Sequence, residues 1–268
     1  MPPMNFSADL LDSFRKETAC LFIGSGVSSA AGLIGWDTLI QEMCKIIRAE
    51  STQFTASELD KFLNESDNLD IADYFRQTVK EYRYYRFLRR YFRTDARLTR
   101  LHKVIATLPA KTLFTTNYDK VLETTFRAAN GSDPAVIIFP EQIGYIDSDE
   151  QRIIKLHGDI DHPSTIVLTR TDYSNYASTH RDFVDMLEHG LNERTLLFVG
   201  FGLRDKNFRR IFEDARSLYA STKRPAYAFM SDTHAIEREL WSHEGLVIIP
   251  MAHYTDLARH IFQFRQAI

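Results

Sequence analysis

Four short segments of this chain set polar side chains beside glycines in a way that could do chemistry. The first, Gly24-Ser25-Gly26-Val27-Ser28-Ser29-Ala30-Ala31-Gly32, directly follows an apolar run. Glycines at 24 and 26 let the backbone turn tightly and approach a pyrophosphate with no Cβ in the way. A helix starting there offers free N–H groups and the positive end of its dipole. Ser25 or Ser28 adds a hydroxyl donor or a helix cap. The others are Thr115-Thr116-Asn117-Tyr118-Asp119, Lys155-Leu156-His157-Gly158-Asp159 and Val199-Gly200-Phe201-Gly202-Leu203-Arg204-Asp205. An asparagine amide is no base, but it can hold a water or a hydroxyl in attacking position. A histidine, titrating near neutrality, can polarise a hydroxyl or take a proton from water. Asn117 and His157 are the expected catalytic residues.

Each segment also has a plain structural reading. Gly-x-Gly serves as a bare turn, and Asn117 as a cap of the next helix. His157-Gly158-Asp159 serves as a turn, and a carboxylate such as Asp119 is favoured in a first helical turn anyway. The first loop also departs from the dehydrogenase fingerprint. Its third glycine, Gly32, comes late, and no strand ending in Asp or Glu follows about 20 residues on. The case for a site is joint: three polar strand ends beside a phosphate loop.

The elements that must position these residues are legible as apolar runs without period-2 alternation, at 19–23, 111–115, 135–139, 152–156, 165–168, 195–199, 226–230 and 246–250. Strands buried on both faces look like this. Helical patterns at 119–129, 173–192 and 205–221 separate many of them. The alternation predicts an α/β, Rossmann-like, doubly wound and mainly parallel sheet, whose ligands sit at the carboxyl ends of its strands. Some runs could pair as a hairpin instead, since Leu156 and Ile166 are close in sequence. About 85 residues separate the first two strong strand candidates, far more than an ordinary crossover. Residues 37–108 are therefore expected to form a helical insertion within a single domain spanning 1–268.

Composition sets limits. Of 268 residues, 44% are hydrophobic and 26% charged, which suits one α/β domain. The net charge of −3 demands neither nucleic acid nor an anionic membrane. The N-terminal residues lack the apolar core of a signal peptide, and the longest apolar stretch, 195–203, is too short to span a bilayer. A cytoplasmic protein without membrane contact is expected. Residues 80–93 read as an amphipathic helix with Tyr84, Phe87, Leu88 and Tyr91 on one face and Arg83, Arg86, Arg90 and Arg93 on another. A solvated basic face is the first reading, a partner or self-association surface the second, and nucleic-acid contact the least favoured.

In this order, GSGVSSAAG, TTNYD, KLHGD and VGFGLRD resemble the NAD-binding elements of the sirtuin family, and more closely those of the SIR2-like NADase effectors of bacterial anti-phage defence. The resemblance covers about residues 19–205. It implies that Gly24, Ser25, Gly26 and Ser28 hold a pyrophosphate, with Thr116 also against the nucleotide. Asn117 would lie beside the nicotinamide ribose, Asp119 would read the nicotinamide carboxamide, and His157 would be the catalytic histidine. Gly200, Phe201 and Gly202 would lie near the adenosine half. Sirtuin deacylases carry a Cys-x-x-Cys zinc module, whereas Cys20 and Cys44 are the only cysteines here, so no metal is expected. Where those enzymes place an aromatic residue followed by arginine, this chain has Trp36-Asp37. Trp36 can still shield the ribose, but the arginine is missing. Both departures favour hydrolysis of NAD⁺ as substrate. The resemblance thus implies an NAD⁺ glycohydrolase that releases nicotinamide and ADP-ribose or its cyclic form. The alternatives are an NAD⁺-dependent deacylase and a non-catalytic NAD⁺- or ADP-ribose-binding module. Unrestrained NAD⁺ destruction would harm the host and no sensor domain is evident, so control by homo-oligomerisation or by a separate sensor or activator protein is implied.

Overall fold

A computed structural model of the chain describes residues 6–92, 96–145, 150–201, 224–231 and 233–268. Seven strands form one sheet: β1 (Ala19–Ile23), β2 (Thr112–Thr115), β3 (Ala135–Ile137), β4 (Arg152–Lys155), β5 (Thr195–Val199), β6 (Ala226–Ser231) and β7 (Leu246–Met251). Their order is β3-β4-β2-β1-β5-β6-β7, and every pairing is parallel. The chain builds outward from β1 to one side, then returns to lay β5 on the other. The crevice at the carboxyl ends of β1 and β5 is therefore the topological switch point, where open α/β sheets bind ligands.

The absence of alternation in the strand sequences has a direct cause, since both faces are covered. Leu21, Ile23, Leu113, Ile153, Leu197 and Val199 point into one core with α1 (Ala8–Arg15) and the last helix (Leu257–Ala267). Cys20, Phe22, Phe114, Leu196 and Phe198 point into the other, with Phe183 and Trp241. There Phe22 stacks on Phe114 and Phe198 at centroid distances of 6.1 and 5.1 Å.

Between β1 and β2 the chain forms α2 (Ser25–Ala30), α3 (Trp36–Glu50), α4 (Ala56–Glu65), α5 (Asn68–Phe92) and α6 (Arg100–Ile105). α5 is kinked at Lys80, whose φ is 61°. Leu39, Met43, Leu59, Phe75, Tyr84 and Leu88 bury against one another, and Tyr118, Ile160, Ile166 and Leu168 join them. The helical layer therefore packs on the two loops that follow β2 and β4.

Three expectations need correction. Residues 165–168 are not a strand: Pro163–Thr165 is a 3₁₀ turn, and the residues after it run alongside His157 through one backbone bond, Val167 N–H to His157 O at 3.1 Å. Their apolar side chains serve the helical core, so no hairpin with β4 forms. Residues 173–192 are not one helix either. The chain breaks at His180 (φ −126°, ψ 34°) into α8 (Arg170–Thr179) and α9 (Arg181–Glu193). The helix expected at 119–129 starts later, as α7 (Val121–Asn130), because the segment before it is committed to the site. The helix expected at 205–221 lies outside the described residues.

Candidate functional site

The carboxyl ends of β1, β2, β4 and β5 bring most of the expected residues together. Thr115 and Lys155 are paired in register on adjacent strands, so Asn117 and His157, two residues beyond each, leave the same edge of the sheet. The Thr115 hydroxyl donates to Ile23 O at 2.8 Å and accepts the Asn117 N–H at 3.0 Å, which fastens this turn to β1.

Asn117 is buried, and its amide Nδ2 donates to Gly24 O at 3.0 Å and to Ser28 Oγ at 2.9 Å. Both amide protons are thereby committed, and among the described residues Oδ1 has no hydrogen-bond partner. The Ser28 hydroxyl gives its one proton to Asp119 Oδ2 at 2.7 Å, and Asp119 Oδ1 accepts the Val121 N–H at 2.9 Å, at the start of α7. Asn117 thus presents a carbonyl oxygen, an acceptor, outward from a network held by Ser28 and Asp119. Because Ser28 has spent its only proton, it is no phosphate donor in this arrangement. Ser25, at the start of α2, and Ser29 are the exposed hydroxyls of the loop. Thr116 is half-buried beside Asn117.

The glycines at 24 and 26 are required by the packing of the loop itself. A Cβ on Gly24 would come within 2.6 Å of Gly200 O and 2.8 Å of the Phe201 ring, and one on Gly26 within 2.5 Å of the Tyr254 hydroxyl. The Gly24 and Gly26 N–H groups bond Val199 O at 2.8 Å and Gly200 O at 3.0 Å. These glycines lock the first loop onto the end of β5. Gly200 (φ 81°) packs against Val27, and Phe201 lies edge-on to Phe22 at 5.2 Å. Gly202 lies outside the described residues. Trp36, the first residue of α3, packs half-buried against the helical core.

His157 is 3% exposed, walled by the rings of Tyr173 (5.2 Å) and Tyr176 (5.5 Å) from α8. Its Nδ1 lies 3.4 Å from the Tyr173 hydroxyl. Burial, with a smaller contribution from His180, lowers its pKa to about 3. The expectation that it titrates near neutrality is therefore wrong: it is a neutral imidazole at physiological pH.

Some residues of the site were missed by sequence reasoning. Lys155 and Asp159, quoted in the motif without a role, form a buried ion pair at 2.6 Å. Burial pushes the Asp159 carboxyl up, but the Lys155 charge and bonds from Lys120, Lys155 and the Asp161 N–H outweigh it and leave it below its ordinary value. His102 of α6 accepts the Thr99 N–H at Nδ1 (3.0 Å), so its Nε2–H donates to Val27 O at 3.0 Å. Burial lowers its pKa too. An i, i+4 Lys–Asp pair outside a helix, or a histidine between helices, carries no sequence signal for such contacts. Two cavities, of about 330 Å³ beside Lys120 and Arg127 and about 470 Å³ beside Tyr227 and Ile249, include neither Asn117 nor His157 in their walls.

Residues 111–249, from the start of β2 through most of β7, match the family model described as a SIR2-like domain. The chain belongs to the SIR2-like family. Asn117, His157 and Gly200 fall inside the matched span, and the Gly24–Gly32 loop precedes it. The SIR2-like chain is 30% identical over 223 residues to a protein from Enterococcus faecium named NAD(+) hydrolase ThsA, covering 82% of this chain and 44% of that one. It is 27% identical over 227 residues to a protein of the same name from Bacillus cereus, covering 84% and 45%. It is 25% identical over 255 residues to defense-associated sirtuin 2 of Bacillus subtilis, covering 92% and 24%. The chain thus spans less than half the length of these relatives. Among the described residues of this SIR2-like fold, no group of three or more His, Cys, Asp or Glu could hold a metal ion. Cys20 is buried in β1, its thiol pushed up to about 11 by burial, and Cys44 is half-buried in α3.

Proposed function

We propose that the chain is an NAD⁺ glycohydrolase of anti-phage defence, with Asn117 and His157 acting on the nicotinamide ribose. The observation that carries this reading is the Asn117 network: an amide locked by Gly24 and Ser28, with its Oδ1 left over at the sheet edge it shares with His157. The names of the relatives support the substrate. The pyrophosphate would lie on the Gly24–Ser28 loop, where Ser25 offers an exposed hydroxyl. Thr116 would meet the nucleotide next to Asn117, Trp36 would shield the ribose, and Gly200, Phe201 and Gly202 would border the adenosine half. Residues 37–108 act as the insertion that closes over the nicotinamide end.

Cleavage breaks the bond between ribose C1′ and the nicotinamide nitrogen, and the electron pair leaves with the ring and neutralises its charge. The leaving group needs no acid, and positive charge develops on the ribose, as in glycoside cleavage generally. Asn117 Oδ1, an acceptor, holds a ribose hydroxyl or the attacking water. Neutral His157 orients a second hydroxyl. The new C1′–O bond forms from water, whose proton passes to solvent once the oxygen has bonded. Asp119, with its oxygens facing Ser28 and Val121, acts first by positioning Ser28, and through it Asn117. Control by assembly with further copies or with a separate activator completes the proposal.

The experiment is to incubate the protein with NAD⁺ and quantify nicotinamide, alone and at concentrations that favour assembly. Asn117→Ala and His157→Ala should each lose at least about a hundredfold in kcat, the size expected when a positioned group is removed, with folding intact by circular dichroism. Wild-type turnover in both variants would refute the catalytic assignment. Turnover of an acyl-lysine peptide with NAD⁺ would make it a deacylase.

A further inference from the structure

Lys155 ends β4, and its side chain is 1% exposed. Its ammonium lies within hydrogen-bond distance of Tyr118 O (3.1 Å), Asp119 O (2.6 Å), Glu123 Oε1 (3.1 Å) and Asp159 Oδ2 (2.6 Å). An ammonium has three protons, so four acceptors share them. Two are main-chain carbonyls of the segment that follows Asn117, and one is the carboxylate two residues beyond His157. The sheet does not join these loops: its last pairing here is Thr115 with Lys155, followed by Leu156 N–H to Thr115 O at 2.9 Å. Past that point one backbone bond, Ile160 N–H to Tyr118 O at 2.9 Å, links them among the described residues. A buried ion pair is weak evidence for stability, because apolar residues of similar volume often serve as well. Its better-attested use is to fix one arrangement out of several.

We propose that Lys155 is a positioning residue: by gathering the Tyr118 and Asp119 carbonyls and the Asp159 carboxylate onto one ammonium, it sets the distance between Asn117 and His157. The inference rests on the hydrolase reading for its kinetic test, but its geometric test stands apart. Lys155→Met keeps the stem and removes the three donors. It should lower kcat about a hundredfold per folded molecule, the cost of roughly 1 Å of misplacement, with KM within about threefold of wild type. Because Lys155→Met leaves Asp159 without its buried partner and paired only with Lys120, at 2.7 Å, a second variant, Lys155→Met/Asp159→Leu, removes both buried charges and should show the same split. A purely structural lysine would lower the melting temperature and leave kcat per folded molecule unchanged, and that result in either variant overturns the proposal. Failure of both variants to fold would make the pair a stability element and overturn it equally. If wild-type protein releases no nicotinamide in any state of assembly, the hydrolase reading falls and crystal structures of wild type and variant decide the tether. The Asn117 and His157 loops should then be displaced relative to one another, and superposable loops would overturn it.

Discussion

At the scale of single residues, the site is decided by where protons are spent. Asn117 has two amide protons, both given to its neighbours, and so becomes an acceptor. Ser28 has one, given to Asp119, and so becomes a relay instead of a phosphate donor. His157 has lost its affinity for a second proton because Tyr173 and Tyr176 keep water from it. This has a consequence for stability. The folded pKa of about 3 lies below the ordinary 6.5, so the unfolded chain takes up a proton as pH falls below 6.5 while the folded one does not. Stability from this group is full above pH 6.5 and declines towards pH 3, by up to about 1.4 kcal/mol per pH unit. Asp159, with a lowered pKa, costs stability only below its ordinary 3.8, so it does not share the upper part of this window. His102 and His180, also lowered by burial, act in the same direction as His157. Melting curves between about pH 7 and pH 4.5 should fall with acidity, and His157→Gln should fall less steeply. Identical slopes would show that His157 protonates as easily in the folded chain as in the unfolded one. In the same range kcat should be flat, since a neutral imidazole does not titrate there; a kinetic pKa near 6.5 would restore His157 as a base.

At the scale of elements, the loop after β4 is what brings His157 under α8. Gly158 has φ 84°, and a Cβ there would lie 2.2 Å from Thr165 O, because the loop folds back and is closed by the Val167 N–H to His157 O bond. Gly131, at the end of α7, has a similar φ of 75° but open space around it. Gly131→Ala should therefore cost about 1 kcal/mol for the left-handed backbone alone. Gly158→Ala should cost at least about 3 kcal/mol, the upper end for a strained backbone, because Thr165 must also move. Urea denaturation of the two variants checks this, and equal costs would show that the loop has room to give. Much of the same architecture is legible in the amino-acid sequence. β1 and β5 have apolar residues on both faces, which only a doubly covered sheet explains, and the polar strand ends pointed to the sheet edge that Asn117 and His157 share. Periodicity failed at 166–168, because a short apolar run serving a helical core looks like a buried strand. It failed at His180, because no glycine or proline marks the break. The environment of His157 was illegible for a different reason: its walls come from α8, and burial by a neighbouring element leaves no trace in the residue's own segment.

At the scale of the whole molecule, the helical layer between β1 and β2 holds the site at both ends. His102 ties α6 to Val27 of the phosphate-loop helix. On the other side Arg76 pairs with Asp172 at 3.1 Å, Arg170 pairs with Asp70, and the Thr171 N–H donates to Asp73 at 3.0 Å, which joins α5 to α8 beside His157. Because the layer touches the segments on both sides of the candidate site, it is where the assembly contact proposed above is expected to act. The second half of α5 gives it one basic face: Arg83, Arg86, Arg89 and Arg90 are exposed, while Tyr84, Phe87 and Leu88 are spent in the helical core. Arg83 pairs with Glu50, and Arg90 lies over the neighbouring Tyr91 ring at 5.8 Å. Arg93 lies outside the described residues. With Tyr84 and Phe87 buried, Tyr82 is the one strongly exposed ring of α5 among the described residues, fewer than the successive rings on which single-stranded nucleic acid stacks, so the proposed assembly contact is expected to present an acidic protein surface, on a second copy or on an activator. Arg86→Glu/Arg90→Glu should then weaken assembly and NAD⁺ hydrolysis in parallel. The melting temperature should hardly change, because surface substitutions away from buried partners are usually within about 0.5 kcal/mol. Analytical ultracentrifugation and nicotinamide release over one concentration series check both at once. A doubly substituted chain that assembles and hydrolyses like wild type would place the controlling contact elsewhere, and a monomer with full activity would remove the need for one.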